Sequence, residues 1–265
     1  MLKRLTRDLW AYRGFIAESV RRDFHARYLN TQFGWIWAIL QPLAMLSVYT
    51  LVFSRIMRAA LPGHDSVWAY SIYLCAGLLA WGLFSELLSR AIGIFVNNAN
   101  LLKKVSLPRL TLPAIATLSS LINYAIVMAI FFLFLLLTDR FPGLVVLAAL
   151  PVLLVLIGLA LGLGILCGTI NVFYRDVEQT LGVVLQFWFW LTPVVYVGRA
   201  LPESITRWLW INPMSSIVNA LQGIFLDARM PHWPSLLWPA GLALALLALA
   251  LLAFNRLGGE IVDEL

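Results

Sequence analysis

Charge is scarce in this 265-residue chain: 12% of its residues are Asp, Glu, Lys or Arg and 62% are hydrophobic. Ordinary soluble domains carry about 25% charged and roughly 45–50% apolar residues, so a water-soluble globule is excluded. Lysine occurs only as Lys3, Lys103 and Lys104, never after a glycine, and the glycine-rich lysine loop that cradles nucleotide phosphates is missing. ATP hydrolysis by this chain is therefore not expected. Carboxylates outside the apolar runs are scattered, with Asp65, Asp139, Glu203 and Asp227 on one side and Asp176 and Glu178 on the other. That scatter disfavours a metal-dependent or acid–base enzyme. Cys75 and Cys167 fall inside apolar runs, and His25, His64 and His232 have no ligand spacing, so no disulfide framework or zinc motif is readable. No uninterrupted apolar stretch follows Lys3, Arg4, Arg7 and Arg13, and no cleavable signal peptide is expected.

Long apolar runs are what the chain has instead. Six stretches, 33–54, 67–88, 111–137, 144–170, 181–197 and 235–254, suit membrane helices. None shows the alternation of an outer-membrane strand, and the composition is too apolar for a barrel with a polar lumen. The expected fold is an all-α integral membrane protein with six transmembrane helices. The positive-inside rule orients it. Of nineteen basic residues, thirteen fall on one side, chiefly in 1–32 and 89–110, and six on the other. Both termini are expected in the cytoplasm. The domains read as a cytoplasmic interface segment (1–32), a membrane domain (33–254) and a cytoplasmic tail (255–265).

Three segments depart from simple spans and loops. Between Leu2 and Tyr28, apolar residues such as Leu9, Ile16, Val20 and Phe24 recur at steps of three and four, with charged residues between them. This predicts an amphipathic helix on the cytoplasmic face, either as a membrane-surface anchor or as a docking surface for a partner. The 89–110 loop carries Asn97, Asn98, Asn100, Lys103, Lys104, Pro108 and Arg109. It is too long for a tight turn and suits a short helix pressed against a cytoplasmic subunit, or a solvated basic loop. In the outer region 198–234, residues 212–226 read as a helix too short to span, re-entrant or interfacial, with Pro202 and Pro213 interrupting.

Ionisable residues inside the spans are nearly absent, which disfavours ion-coupled transport. Glu86 is the exception, and a local ion pair with Arg90, four residues on, is the expected explanation. Gly158, Gly162, Gly164 and Gly168 provide two small-xxx-small spacings, usable within the subunit or between two copies.

Four stretches carry a resemblance across nearly the whole chain: RYLNTQFGWIWAILQPL from Arg27, LLKKVSLPRLTLP from Leu101, NVFYRDVEQ from Asn171, and LTPVVYV followed by INPMS. Together they resemble the membrane subunits of type 2 ABC exporters, in the branch that exports O-antigen, capsule and teichoic-acid chains. The resemblance implies a separate ABC ATPase in two copies, with ATP and magnesium bound there and no cofactor in this chain. It also implies a homodimer in a bacterial inner membrane, with a lipid-linked polysaccharide as substrate and membrane lipid around it. Nucleic acid is not expected as a partner. Residues 97–109 then match a coupling helix, Tyr174, Arg175 and Asp176 an inner-loop motif, and Pro193, Tyr196, Pro202, Asn212 and Pro213 an outer gate. Arg27 and Tyr28 precede the first span, where a lipid phosphate would arrive; phosphate recognition and positive-inside anchoring both fit them. Trp35, Trp37, Tyr49, Trp81, Trp188 and Trp190 form the pool from which aromatics lining a glycan conduit would come. A drug- or haem-type exporter and a membrane enzyme are the alternatives. The Arg27–Leu43 motif argues against the first and the scattered carboxylates against the second.

Overall fold

The computed structural model describes residues 10–28, 36–49, 51, 68–104, 108, 111–197, 209–257 and 264. Its elements are α1 (Arg13–Tyr28), α2 (Ile36–Tyr49), α3 (Ala69–Asn97), α4 (Ala99–Lys104), α5 (Thr111–Leu137), a 3-10 turn (Gly143–Ala148) leading into α6 (Ala149–Phe173), α7 (Asp176–Trp190), α8 (Pro213–Asp227) and α9 (Trp233–Leu257). Among the described residues there is no strand. Four helical segments are long and apolar enough to cross a bilayer: α3, α5, the 3-10 turn with α6, and α9 up to Phe254.

α3 is the central column. Two-thirds of its apolar window, 67%, is buried, against 22–33% for the other three. α6 packs along it, α9 lies on the far side of α6, and α5 covers the opposite flank and carries α1 and α2. The glycines of α6 make this layering possible. A Cβ on Gly162 would sit 2.8 Å from Leu246 Cβ and Leu247 N of α9. One on Gly164 would sit 2.5 Å from Ala91 Cβ of α3, and one on Gly168 2.6 Å from the Ala91 carbonyl oxygen. The small-residue spacings therefore serve packing inside this subunit, on two faces of one helix.

Several expected boundaries move. α5 coincides with the expected 111–137, whereas α3 runs well past residue 88 to Asn97. Its 29 residues extend ~43 Å at 1.5 Å each, more than a ~30 Å hydrocarbon core, so the helix continues beyond the apolar layer. The first nine residues of the expected 89–110 loop are thus helical, and α4 supplies the expected short helix. The fifth stretch, expected at 181–197, is helical over Asp176–Trp190 and breaks there. Pro193 has no N–H to continue the ladder, and the residue before a proline is pushed out of helical geometry. Its fifteen residues cover only ~22 Å. Of the first stretch, α2 supplies fourteen helical residues, and its flanks lie outside the described residues.

α1 also differs from a helix resting only on lipid. Ile16 and Val20 are buried, and the helix packs on α5. α8 is fifteen residues long, as expected of a segment too short to span, yet it lies among α3, α6 and α9 with Met214, Ile217, Val218, Leu221, Ile224 and Phe225 buried. It ends at Ala228, which adopts the left-handed conformation (φ 49°) that usually falls to glycine.

Candidate functional site

The end of the bundle that carries α1 holds a charged cluster. Glu86 and Arg90 lie one helical turn apart on α3, and Arg90 Nε donates to Glu86 Oε1 at 3.2 Å. The expected local pair is therefore present, as part of a larger arrangement. Arg27 Nη1 of α1 donates to the same Glu86 oxygen at 2.7 Å, and Asn123 Nδ2 of α5 donates to Oε2 at 2.9 Å. Arg90 Nη1 in turn donates to Asp23 Oδ2 of α1 at 2.7 Å. Two guanidiniums thus face two carboxylates drawn from α1 and α3, and the Asn123 amide brings in α5. Partial burial pushes the Asp23 carboxyl up, but hydrogen bonds from Arg90 and Ser119 and the charges of Arg90 and Arg27 outweigh it, leaving the group below its ordinary value of 3.8. The Arg27 side chain keeps 42% of its surface exposed.

Beside this cluster, α2, α3 and α5 enclose an open cavity of about 400 Å³. Arg27, Glu86 and Asn123 line its charged end. Met45, Cys75, Leu79, Val127 and Phe131 give it apolar wall, and Gln41 and Tyr124 line it as well.

A second arrangement occupies the opposite end, where α7 stops. The irregular backbone of 191–197 is paired by side chains rather than by a helix. Tyr73 Oη donates to the carbonyls of Tyr196 (2.9 Å) and Pro193 (3.3 Å), and Tyr70 Oη to that of Val195 (2.6 Å). Gln222 of α8, 2% exposed, directs Nε2 at the carbonyls of Tyr73, Pro193 and Val194 at 3.3–3.4 Å. Gly77 permits this approach: a Cβ there would sit 2.7 Å from Gln222 Nε2. Asn212 joins the two broken ends. Its Oδ1 accepts from Met214 N, capping α8, and from Trp188 Nε1, while Nδ2 donates to Leu191 O and Thr192 Oγ1. Irregular backbone at membrane depth is tolerated where protein pairs and covers it, and these side chains do so.

The sequence candidates distribute unevenly over this frame. Trp81 is buried and meets Phe84, Trp188 and Phe189 edge-on or tilted at 5.6–6.3 Å, so it belongs to the packing between α3 and α7. Trp188 is half-buried and committed to Asn212, whereas Trp37 and Trp190 are exposed. Trp35, Pro202 and Arg109 lie outside the described residues, as do the side chains of Tyr28, Tyr49 and Lys104. Asn97 ends α3, Asn98 donates to Ile94 O at 2.8 Å, and Asn100 and Lys103 are exposed on α4. The Pro108 carbonyl accepts from Thr111 N, starting α5. Tyr174, Arg175 and Asp176 are exposed at the turn from α6 to α7. Pro193 is buried and Tyr196 half-buried in the irregular segment, and Pro213 opens α8.

Three positions were missed from sequence. Asn171, buried, accepts from Glu178 N and donates to Ile92 O, fastening the α6–α7 turn to α3. Asn123 and Gln222 were missed as well. The signal for all three was an amide side chain inside an otherwise apolar helix, a costly placement unless it is hydrogen-bonded. Among the described residues, no three His, Cys, Asp or Glu side chains gather where they could hold a metal ion.

Residues 16–226 match the family described as ABC-2 type transporter. The chain is 29% identical over 230 residues to the O-antigen export system permease protein RfbA of Myxococcus xanthus, covering 86% of each. It is 26% identical over 207 residues to RfbA of Klebsiella pneumoniae, covering 78% of each. It is also 23% identical over 198 residues to the polysialic acid transport protein KpsM of Escherichia coli, covering 74% of this chain and 75% of that one.

Proposed function

The chain belongs to the ABC-2 type transporter family, and on that premise we propose that it is the membrane subunit of an exporter moving lipid-linked surface polysaccharide, of the O-antigen kind, out of the cytoplasm. The carrying observation is that relatives named for O-antigen export align with most of this chain and of themselves. The likeness to KpsM favours capsule export as the second reading.

In this reading the protein is a multi-pass component of a bacterial inner membrane with both termini in the cytoplasm. Two copies pair around a conduit and bind two copies of a separate ABC ATPase, which holds ATP and magnesium. Close packing of α9, α6, α3 and α5 supports the pairing, because it leaves no bore for a sugar polymer between these four helices as described. The charged end faces the cytoplasm. There α1, α4 and the turn at Tyr174, Arg175 and Asp176 receive the ATPase, with Asn97, Asn98, Asn100, Lys103, Lys104, Pro108 and Arg109 at the coupling surface. Arg27, with Tyr28, meets the substrate phosphate, for which its planar fork is suited. Trp37 and Trp190, exposed, offer flat faces to the glycan, while Trp81 and Trp188 meet each other between α3 and α7. At the outer end α8 and the irregular segment from Pro193 to Tyr196 form the gate.

ATP binding closes the ATPase pair and pushes the coupling surface. Because α3 runs from that surface to Tyr73 beneath the gate, one rigid column links the two ends. The test is expression with the cognate ATPase in a bacterium deleted for its own O-antigen permease. Recovery of surface polysaccharide, with ATPase co-purifying, is the expected result. Normal assembly with no polysaccharide at the surface would overturn it.

A further inference from the structure

We propose that Asn171 and Asn212 are positioning residues that pin α7 at its two ends, so that the helix yields in its middle when the conduit widens while both mouths keep their place. This rests on the polysaccharide-export reading for the conduit and for the polymer that passes it. The pins themselves are argued from geometry.

α7 and α8 have fifteen residues each and are held in opposite ways. α8 buries nine of its residues, whereas α7 buries Leu185 alone. In the middle of α7 the core is touched by Leu181 and Leu185, through aliphatic carbon. Such contacts have no preferred direction and survive a sideways shift, whereas a hydrogen bond weakens steeply once its angle is lost. A Cβ built on Gly182 meets nothing within 4 Å, so the middle also has room.

The ends differ from the middle. A helix leaves N–H groups unpaired at its start and carbonyls unpaired at its end. At the start of α7 the N-cap residue Arg175 makes no side-chain capping bond, and the Glu178 N–H donates instead to Asn171 Oδ1 of α6 at 3.1 Å. Asn171 Nδ2 reaches on to the Ile92 carbonyl of α3 at 3.4 Å. At the far end the Leu191 carbonyl accepts from Asn212 Nδ2 at 3.2 Å, and the same amide bonds Thr192 Oγ1 and the Trp188 indole. With the Met214 N–H, all four hydrogen-bonding positions of the Asn212 amide are filled.

Depth makes the second pin informative. Trp188 lies against Trp81, which is about 18 Å along α3 from Ala69 and so well inside a ~30 Å apolar layer. A polar group at that depth is costly unless it is paired, and a fully paired one makes a rigid joint. Each pin also fastens α7 to embedded elements: Asn171, 1% exposed, to α6 and α3, and Asn212 to the buried first turn of α8. A load on the middle of α7 therefore bows it between fixed ends. Val183, Val184 and Phe187, all exposed, lie on the part that yields. Such a wall accommodates a polymer whose cross-section changes from sugar to sugar, with the Tyr174–Asp176 turn and segment 191–197 left in register.

The experiment places pairs of spin labels in the full chain, assembled with its ATPase in nanodiscs, with Cys75 and Cys167 changed to alanine. Dilution with unlabelled chain restricts the distances to one subunit. One label sits at Leu154 of α6 and the other at Gln179, Val183 or Leu191 in turn, all exposed. Between the nucleotide-free and vanadate-trapped states, Val183 is expected to shift by about 2 Å, the scale of helix shifts between conformational states, and Gln179 and Leu191 by less than half as much. Asn212→Ser keeps an N-cap for α8 but is too short to reach α7, so it should release Leu191 and leave Gln179 fixed. Asn171→Ala should do the reverse. This crossed pattern is one that a general loss of stability would not give. Both variants should also lower the polysaccharide displayed per ATP hydrolysed about tenfold, the scale of one lost hydrogen bond.

Equal shifts at all three positions would mean that α7 swings as one body, and no shift at Val183 would mean that the second copy braces it along its length. Either result overturns the proposal. Release of both ends by one variant, release of neither, or undiminished export in both variants overturns it too. The distances need no polysaccharide. A moving middle between fixed ends, in a protein that restores no surface polysaccharide, leaves the pins standing and sinks the export reading; restored polysaccharide with α7 swinging as one body does the reverse.

Discussion

Arg27 and Glu86, 59 residues apart in the chain, are joined by a 2.7 Å hydrogen bond that fastens α1 to the central helix of the bundle. Because Glu86 also accepts from Arg90 and Asn123, three donors converge on one carboxylate. Glu86→Gln removes the charge that neutralises two guanidiniums and is expected to cost about 1–2 kcal/mol, the net worth of a charge-assisted bond at a partly exposed site. Arg27→Lys should lose less, since an ammonium still reaches one oxygen. The swap Arg27→Glu with Glu86→Arg should not restore stability, because an arginine at position 86 would stand one turn from Arg90. Thermal unfolding of the three variants in detergent checks this; recovery by the swap would refute the account.

Asp23 makes the docking of α1 sensitive to acid. Its folded-state value lies below 3.8, the value expected when unfolded. Its contribution is therefore complete above that unfolded value and declines as pH falls through the depressed folded value. As pH falls through that depressed value, protonation weakens the Arg90 contact, and α1 should be the first element to loosen. Protection of the amides of residues 13–28, corrected for the intrinsic exchange rate at each pH and followed from pH 6 to pH 3, should fall steeply at the acid end. Asp23→Asn should exchange faster at pH 6 and lose that steepness.

At the other end, Gln222 is expected to be among the least replaceable residues of α8. Gln222→Met keeps its length but takes the amide from the buried carbonyl of Val194, while Pro193 O keeps Tyr73 Oη. A cost of about 1–2 kcal/mol follows from stranding one buried acceptor. Gly77→Ala should produce a similar loss by a different route, pushing Gln222 and Val194 away. If both act on the same contact, the double variant loses little more than either single one. Additive losses in thermal unfolding would show that the two positions act separately.

Legibility in the sequence followed physical range. Run length found α5, α6 and α9, because a spanning helix is a local property of about twenty residues. It also found α8, whose run is too short to cross and whose N-cap Asn212 precedes Pro213. The end of α7 was misplaced because 181–197 is almost uniformly apolar, and only Pro193 marked the break. The Glu86–Arg90 pair was readable at four-residue spacing, while Arg27 and Asn123 reach Glu86 only through the packing of α1 and α5. The ring contacts of Trp81 with α7 were not readable, because hydropathy does not say which neighbour a tryptophan meets.

The glycines of α6 permit the sharpest separation of causes. Gly164 and Gly168 both press on Ala91 of α3, but on different atoms: the first meets the Ala91 methyl and the second its carbonyl oxygen. Either glycine changed to alanine overpacks the contact by about 1–3 kcal/mol. Ala91→Gly removes the methyl and leaves the carbonyl in place. It should therefore rescue Gly164→Ala to within ~1 kcal/mol, the helix-propensity cost of the new glycine, and fail to rescue Gly168→Ala. Unfolding temperatures and monodispersity of the two double variants decide it. Rescue of both, or of neither, would mean that α3 and α6 do not meet at this register, and with them the column from the charged cluster to Gln222 would lose its basis.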